Sequence, residues 1–290
     1  MRSAQTMTAL ILGLAAERPE VRAVWLNGSR ANPTAQKDAL QDFDIVFAVT
    51  DTRPLLRERT WLTRFGEIAV MQEPDDSAIF PVDTKPEQRY AFLIQFADGC
   101  RIDLTLLSPP LWFTGYFDDR LTVLWLDKDG VFPPLPPPDD RAYYILPPTE
   151  KQFLSCCNEF WWTTPYVAKG LWRSELLYAM DLLNKAVRPM LLMMLSWRAG
   201  YLDGFARSVG KCFKYLPAML PEDEAARLLR TYPSAEPQAI WNALITAADL
   251  MDALAPNVAA QAGFFYREDE AAGSRAYLEK LYAAGPGGTI

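Results

Sequence analysis

Seven prolines, Pro133, Pro134, Pro136, Pro137, Pro138, Pro147 and Pro148, fall within sixteen residues near the middle of this chain. Proline fixes φ and has no N–H to donate, so such a run resists both a helix interior and a central strand and reads as a stiff connector. It divides a chain of 290 residues, half of them apolar, enough for one large domain or two ordinary ones. The organisation expected is a first domain over 1–132, a connector over 133–148, a second domain over 149–284 and a flexible tail over 285–290.

The residue pattern changes across the connector. Before it, helices and strands mix: a helix over Ser3–Glu17, strands over Val21–Asn27 and Phe43–Thr50, a helical stretch over Leu55–Phe65 and an extended one over Ile68–Gln72. Tyr90–Phe96 and Cys100–Leu107 alternate around Asp98-Gly99, a two-residue hairpin signal. A short helix over Pro110–Phe117 and a strand over Leu121–Leu126 complete this half. After the connector the spacing is helical over Glu150–Trp161, Gly170–Arg198, Val209–Tyr215, Glu222–Tyr232, Pro237–Leu254 and Glu268–Tyr282. Thr149 and Gln152 form a capping-box signature at the first of these. The fold class expected is α+β, a mixed sheet followed by a helical bundle.

Composition narrows the chemistry. The net charge is -7 and the pI about 4.9, which argues against a nucleic-acid partner, since phosphate neutralisation needs Lys and Arg. There is no histidine, so Ser-His-Asp and Cys-His sites and a histidine base are excluded. None of Cys100, Cys156, Cys157 and Cys212 forms a Cys-x-x-Cys pair, and a reduced, cytoplasmic protein is expected. Met7, Leu10, Ile11 and Leu14 recur at helical spacing, so the apolar N-terminus reads as a core helix rather than a signal peptide. Pro189–Trp197 is too short to span a bilayer, and no membrane partner is expected.

The residues left for catalysis are carboxylates. Asp42 and Asp44 flank Phe43 on a strand, so their side chains point the same way and repel unless a cation neutralises them. Crowded hard oxygen ligands suit Mg²⁺. Ahead of them, Gly28-Ser29 offers backbone N–H groups and a hydroxyl to phosphate oxygens. Asp103 lies with Arg101 and Thr105 on the strand face opposite Ile102, Leu104 and Leu106. If its strand pairs beside that of Asp42 and Asp44, three carboxylates converge, and Asp103 is placed both to hold a metal and to take a proton from an attacking hydroxyl.

A Gly-Ser turn, then Asp-hydrophobic-Asp on a strand, then a later strand Asp resembles the nucleotidyltransferase superfamily of the DNA polymerase β type, over roughly Val21–Leu107. A closer resemblance covers nearly the whole chain. Residues 23–30 (Ala-Val-Trp-Leu-Asn-Gly-Ser-Arg), 41–46 (Gln-Asp-Phe-Asp-Ile-Val), 158–162 (Asn-Glu-Phe-Trp-Trp) and 165–173 (Pro-Tyr-Val-Ala-Lys-Gly-Leu-Trp-Arg) are similar to those of the aminoglycoside 6-adenylyltransferases. The resemblance implies transfer of AMP from ATP to the 6-hydroxyl of streptomycin, with ATP as co-substrate. It implies two Mg²⁺ ions on Asp42, Asp44 and Asp103, the triphosphate on Gly28 and Ser29, and a cationic aminoglycoside held by the helical domain. The connector and the C-terminal tail depart from the family pattern, which leaves the substrate range open.

In that second domain Asp181 interrupts an apolar helix, and by position alone it faces either solvent or a cleft; the resemblance favours the cleft, where a guanidinium-bearing sugar wants acids. Glu159 beside Trp161 and Trp162 is either a substrate contact or an exposed position next to core tryptophans, and Glu175 is either a further acid for the sugar or a surface charge. Lys169, Arg173 and Lys211 are candidates for phosphate contact or plain solvated charges, with Lys211 after Gly210 the best placed of the three. Arg30 either contacts the nucleotide or braces its loop against Asp42 or Asp44. Two rivals stand beside the adenylyltransferase reading: a transferase of the same superfamily with another hydroxyl acceptor, and a nucleotide-binding module without catalysis. A nucleic-acid enzyme of this superfamily would want a basic face, which the sequence does not offer.

Overall fold

The computed structural model describes residues 1–289 and divides into two compact units, Met1–Ala142 and a second that begins at Tyr143. The first unit opens with α1 (Ala4–Glu17), whose start is fixed by the Ser3 side chain accepting the Thr6 N–H. The strands follow as β1 (Val21–Asn27), β2 (Phe43–Val49), β3 (Ile68–Gln72), β4 (Arg89–Phe96), β5 (Arg101–Leu107) and β6 (Thr122–Asp127). They form one mixed sheet in the order β3-β4-β5-β2-β1-β6, in which β2 and β5 run parallel and every other neighbouring pair is antiparallel.

Alternation along the strands divides the sheet into two unlike faces. Val24 and Leu26 of β1, Phe43, Ile45 and Phe47 of β2 and Ile102, Leu104 and Leu106 of β5 share a core with Met7, Ile11 and Leu14 of α1. The other face is apolar over only part of its extent. There Trp25, Ala48 and Leu107 pack with Tyr116 and Phe132, whose rings cluster about Trp25 at 5.4 and 5.5 Å. Phe132 and Pro133 belong to this cover, since the Tyr116 hydroxyl donates to the Pro133 carbonyl at 2.9 Å.

Some expected elements are broken. The helix expected over Leu55–Phe65 is α2 (Arg53–Arg57) followed by a 3₁₀ turn, Thr60–Phe65, because Glu58 is extended and its carboxylate accepts the Thr60 N–H. Only a 3₁₀ turn, Leu111–Phe113, lies within the helix expected over Pro110–Phe117.

The second unit is helical. Its first helix, α3 (Glu150–Trp172), carries the expected capping box, worth about 1 kcal/mol. It does not stop at Trp161 but runs on through Pro165, which removes the hydrogen bond owed to the Trp161 carbonyl. The buried Ser274 hydroxyl donates to that carbonyl at 2.8 Å and makes good the loss. The single helix expected over Gly170–Arg198 is interrupted. The backbone turns at Ser174, with φ of 61°, and resumes as α4 (Leu176–Leu182), a π-helical turn Leu183–Val187 and α5 (Arg188–Asp203). Gly170 permits the close return of α4, since a Cβ there would lie 3.2 Å from that of Ala179.

The helix expected over Val209–Tyr215 is only a three-residue turn, Lys211–Phe213, because Cys212 and Phe213 adopt positive φ. Lys211 therefore does not open an α-helix. Then come α6 (Glu222–Arg230), α7 (Pro237–Ala262) and α8 (Glu268–Ala284). Among the described residues α7 is long and apolar enough to cross a membrane, and 56% of its most apolar stretch is buried within the protein as core. In the tail expected to be flexible, the Gly287 N–H donates to the Trp172 carbonyl at 2.9 Å, and residue 290 lies outside the described residues.

Candidate active site

The uncovered part of the second sheet face carries the acids. Parallel pairing sets Asp44 of β2 opposite Asp103 of β5, and adjacent strands stand about 4.8 Å apart. Asp42 precedes β2 by one residue, and a two-residue step keeps it on the face of Asp44. The turn that leaves β1 meets them. Asn27 pairs with Asp44, and Gly28 follows with φ of 73°. A Cβ on Gly28 would come 2.3 Å from Oδ2 of Asp44, so glycine is required both for its backbone conformation and for the approach to that carboxylate. The turn is pinned on its other flank, where the Gly28 N–H donates to the Leu121 carbonyl at 3.1 Å.

The loop between Ser29 and Asp42 folds back on this turn. Arg30 donates to the Asp42 carbonyl at 2.9 Å and the Gln41 carbonyl at 2.6 Å, with its guanidinium 3.8 Å from the centre of the Phe43 ring. Burial pulls its pKa below the usual arginine value, against the opposing attraction of Asp42. Lys37 Nζ donates to the carbonyls of Ser29, Arg30 and Asn32 at 3.2, 3.0 and 2.7 Å. Gln41 Nε2 reaches the Ser29 carbonyl at 3.3 Å and its hydroxyl at 3.4 Å.

Arg101 stands among the acids. Its Nε and Nη2 donate to the two oxygens of Asp103 at 2.7 and 2.8 Å, and Nε lies 3.6 Å from Oδ2 of Asp42. Hydrogen bonding to Asp103 raises its pKa, and the fields of Asp103, Asp42 and Asp44 add to this against the cost of burial.

Thus Asp42, Asp44, Asp103, Gly28, Ser29 and Arg30 share one corner of the first unit. The remaining candidates belong to the second unit. Trp161 is buried in its core, and its indole N–H donates to the Tyr266 hydroxyl at 3.0 Å. It also backs a cleft of about 390 Å³ together with Asn158, Trp162, Tyr166, Lys169 and Tyr277. Glu159 is exposed and is not among the residues lining that cleft. Asp181 is exposed on α4 and pairs with Lys185 at 2.7 Å, one helical turn away. Lys211 is exposed on its short turn.

Comparison with known proteins bears on this geometry. The family described as streptomycin adenylyltransferase matches residues 1–281. The chain belongs to that family. It is 38% identical over 268 residues to an aminoglycoside 6-adenylyltransferase of Campylobacter jejuni, covering 92% of this chain and 91% of that one. A Bacillus subtilis (strain 168) protein of the same name is 36% identical over 287 residues, covering 98% and 99%. A crystal structure of an aminoglycoside 6-adenyltransferase from Bacillus subtilis aligns at 33% identity over 97% of this chain and 99% of that chain, with a TM-score of 0.48.

As a member of the streptomycin adenylyltransferase family the chain is a nucleotidyltransferase, and its acid corner is suited to that class. All three candidate ligands are hard carboxylate oxygens, the donor type for a divalent cation that also binds phosphate. The Gly28 backbone lies so close to the Asp44 carboxylate that any side chain there would collide with it. Among the described residues no three acidic or cysteine side chains are drawn together as a metal cage, and Arg101 Nε stands 2.7 Å from Asp103 and 3.6 Å from Asp42. Arg101, Lys37 and Gln41 are the members of this corner to which sequence reasoning gave no role. Alternation did put Arg101 on the face of Asp103, which was the available signal.

Proposed function

We propose that this chain transfers AMP from ATP to a hydroxyl of an aminoglycoside, the 6-hydroxyl of streptomycin, releasing pyrophosphate. The observation that carries the reading is the registration of Asp44 with Asp103 on parallel strands beside the Gly28 turn. Membership of the streptomycin adenylyltransferase family supports the acceptor.

In this reading Asp42, Asp44 and Asp103 hold two Mg²⁺ ions, which when bound supply Lewis-acid stabilisation of the charge that builds on the phosphates. Backbone N–H groups and the hydroxyl at Gly28-Ser29 orient the triphosphate. Arg30 holds the loop behind that turn, and Lys211 is assigned to the nucleotide phosphates. Asp103 accepts the proton of the attacking hydroxyl; with no histidine in the chain, a carboxylate is the available base. Glu159, Trp161 and Asp181 are assigned to the cationic acceptor through charge and aromatic contact. A cytoplasmic location fits the use of ATP and the four free thiols.

The test is incubation of the protein with ATP, Mg²⁺ and a panel of aminoglycosides, with pyrophosphate assay and mass spectrometry of the drug. Equal yields of pyrophosphate and of streptomycin bearing one AMP are expected. Adenylylation of a different acceptor would move the specificity claim. ATP binding with no turnover on any acceptor would reduce the chain to a nucleotide-binding module.

A further inference from the structure

Arg101 is a cation that the fold itself places among the candidate metal ligands. It shares their face because β5 alternates, and its planar fork takes both oxygens of Asp103, at 2.7 and 2.8 Å, while Nε reaches toward Asp42 at 3.6 Å. An arginine stays charged at any working pH, so the acids keep a fixed positive charge beside them. The fork is not locked in place by packing, for the Arg101 side chain is 39% exposed. Arg188 of α5 is the contrast: it is only 4% exposed, with its guanidinium bonded to Asn184 and Thr231 and stacked on Tyr232.

We infer that Arg101 is a built-in counter-cation that competes with a divalent metal for the carboxylates of Asp103 and Asp42, holding them in register in the metal-free protein and yielding Asp103 when metal binds. The inference rests on the nucleotidyltransferase reading of the same corner. The two cations need the same lone pairs, and neither carboxylate can serve both at full strength. Stability of the metal-free site and affinity for metal are therefore set against each other through one side chain.

The experiment measures Mn²⁺ binding to the whole protein without nucleotide, by the spin-resonance signal of free Mn²⁺, in wild type, Arg101→Gln and Arg101→Lys. The Gln variant is expected to bind Mn²⁺ roughly tenfold tighter, the scale of one strong charge-assisted competitor removed. Its melting temperature without metal falls below wild type and rises further than wild type when Mn²⁺ is added. The Lys variant, which keeps the charge but not the fork, lies between. Unchanged or weaker Mn²⁺ affinity in the variants overturns the inference, as do equal losses of melting temperature with and without Mn²⁺, which mark an ordinary ion pair. If the Gln variant does not fold, the Lys variant decides by the same criterion. Asp44→Asn separates the two levels of the argument. Wild-type protein that binds no Mn²⁺ with or without ATP overturns the metal reading of the whole corner and this inference with it. Binding that is lost in Asp44→Asn but unchanged in the Arg101 variants removes only the role of Arg101.

Discussion

On β5, Ile102, Leu104 and Leu106 enter the core beneath α1, whereas Arg101 and Asp103, each one residue away, are only partly buried on the opposite face. β2 repeats the division, with Phe43, Ile45 and Phe47 inward and Asp44 outward. The same backbone ladder thus carries two kinds of constraint. The inner face is held by area removed from water, a term that adds over many side chains. The outer corner is held by a few charges and one glycine, whose placement matters more than their bulk. On the proposed function, a residue's face, rather than its strand, decides whether changing it costs folding or turnover.

The largest effect that would break this division is at Asp44. On the proposed chemistry, Asp44→Asn removes several kcal/mol of transition-state stabilisation, a loss of roughly a thousandfold in turnover. Its metal-free melting temperature should stay close to wild type, because asparagine keeps the size and shape of the side chain. Near-native turnover, or a large fall in melting temperature, would mean that the outer corner is structural. Next in size is Phe47, fully buried on the inner face. Phe47→Ala should lower unfolding free energy in urea by about 3–5 kcal/mol, while the surviving folded protein keeps its turnover well below the melting temperature. Loss of turnover without loss of stability would erase the distinction between the faces.

The smallest effect sharpens the picture at the β4–β5 turn, which belongs to neither face. There hydrogen bonds from Arg2, at 2.8 Å from its Nε, hold the Asp98 carboxyl far below the usual carboxylate range. A carboxyl whose pKa is depressed on folding adds stability above its unfolded value, about pH 4, and loses it as pH falls through the folded one. Asp98→Asn should therefore melt below wild type near neutrality, and the gap should close on acidification below about pH 4. A gap that stays constant with pH would show that the pair contributes through packing rather than charge.

Alternation and spacing were enough to find the acids and their common face, since a period of two leaves a side chain only two directions. The capping box of α3 and the span of β1 were legible for the same reason: the signals are local. Some breaks are local, such as Glu58 accepting the Thr60 N–H and the positive φ of Ser174, Cys212 and Phe213, but the length of α3 depends on distant partners. A helix was expected to end at Trp161, yet it continues through Pro165 because Ser274, 113 positions away in the chain, bonds the orphaned carbonyl. The Trp161 indole is likewise satisfied by Tyr266, 105 positions away.

The sequence by itself determined the succession of strands in the first half, the absence of histidine chemistry and the presence of three acids able to share a face, because residue type and periodicity are carried by the chain locally. Only the tertiary structure decided that β5 lies parallel to β2 with Asp103 beside Asp44, that Gly28 touches Asp44, and that Arg101 folds back onto Asp103 and Asp42. Strand partnership and side-chain direction depend on the free energy of the whole packed unit, which no short window of sequence contains.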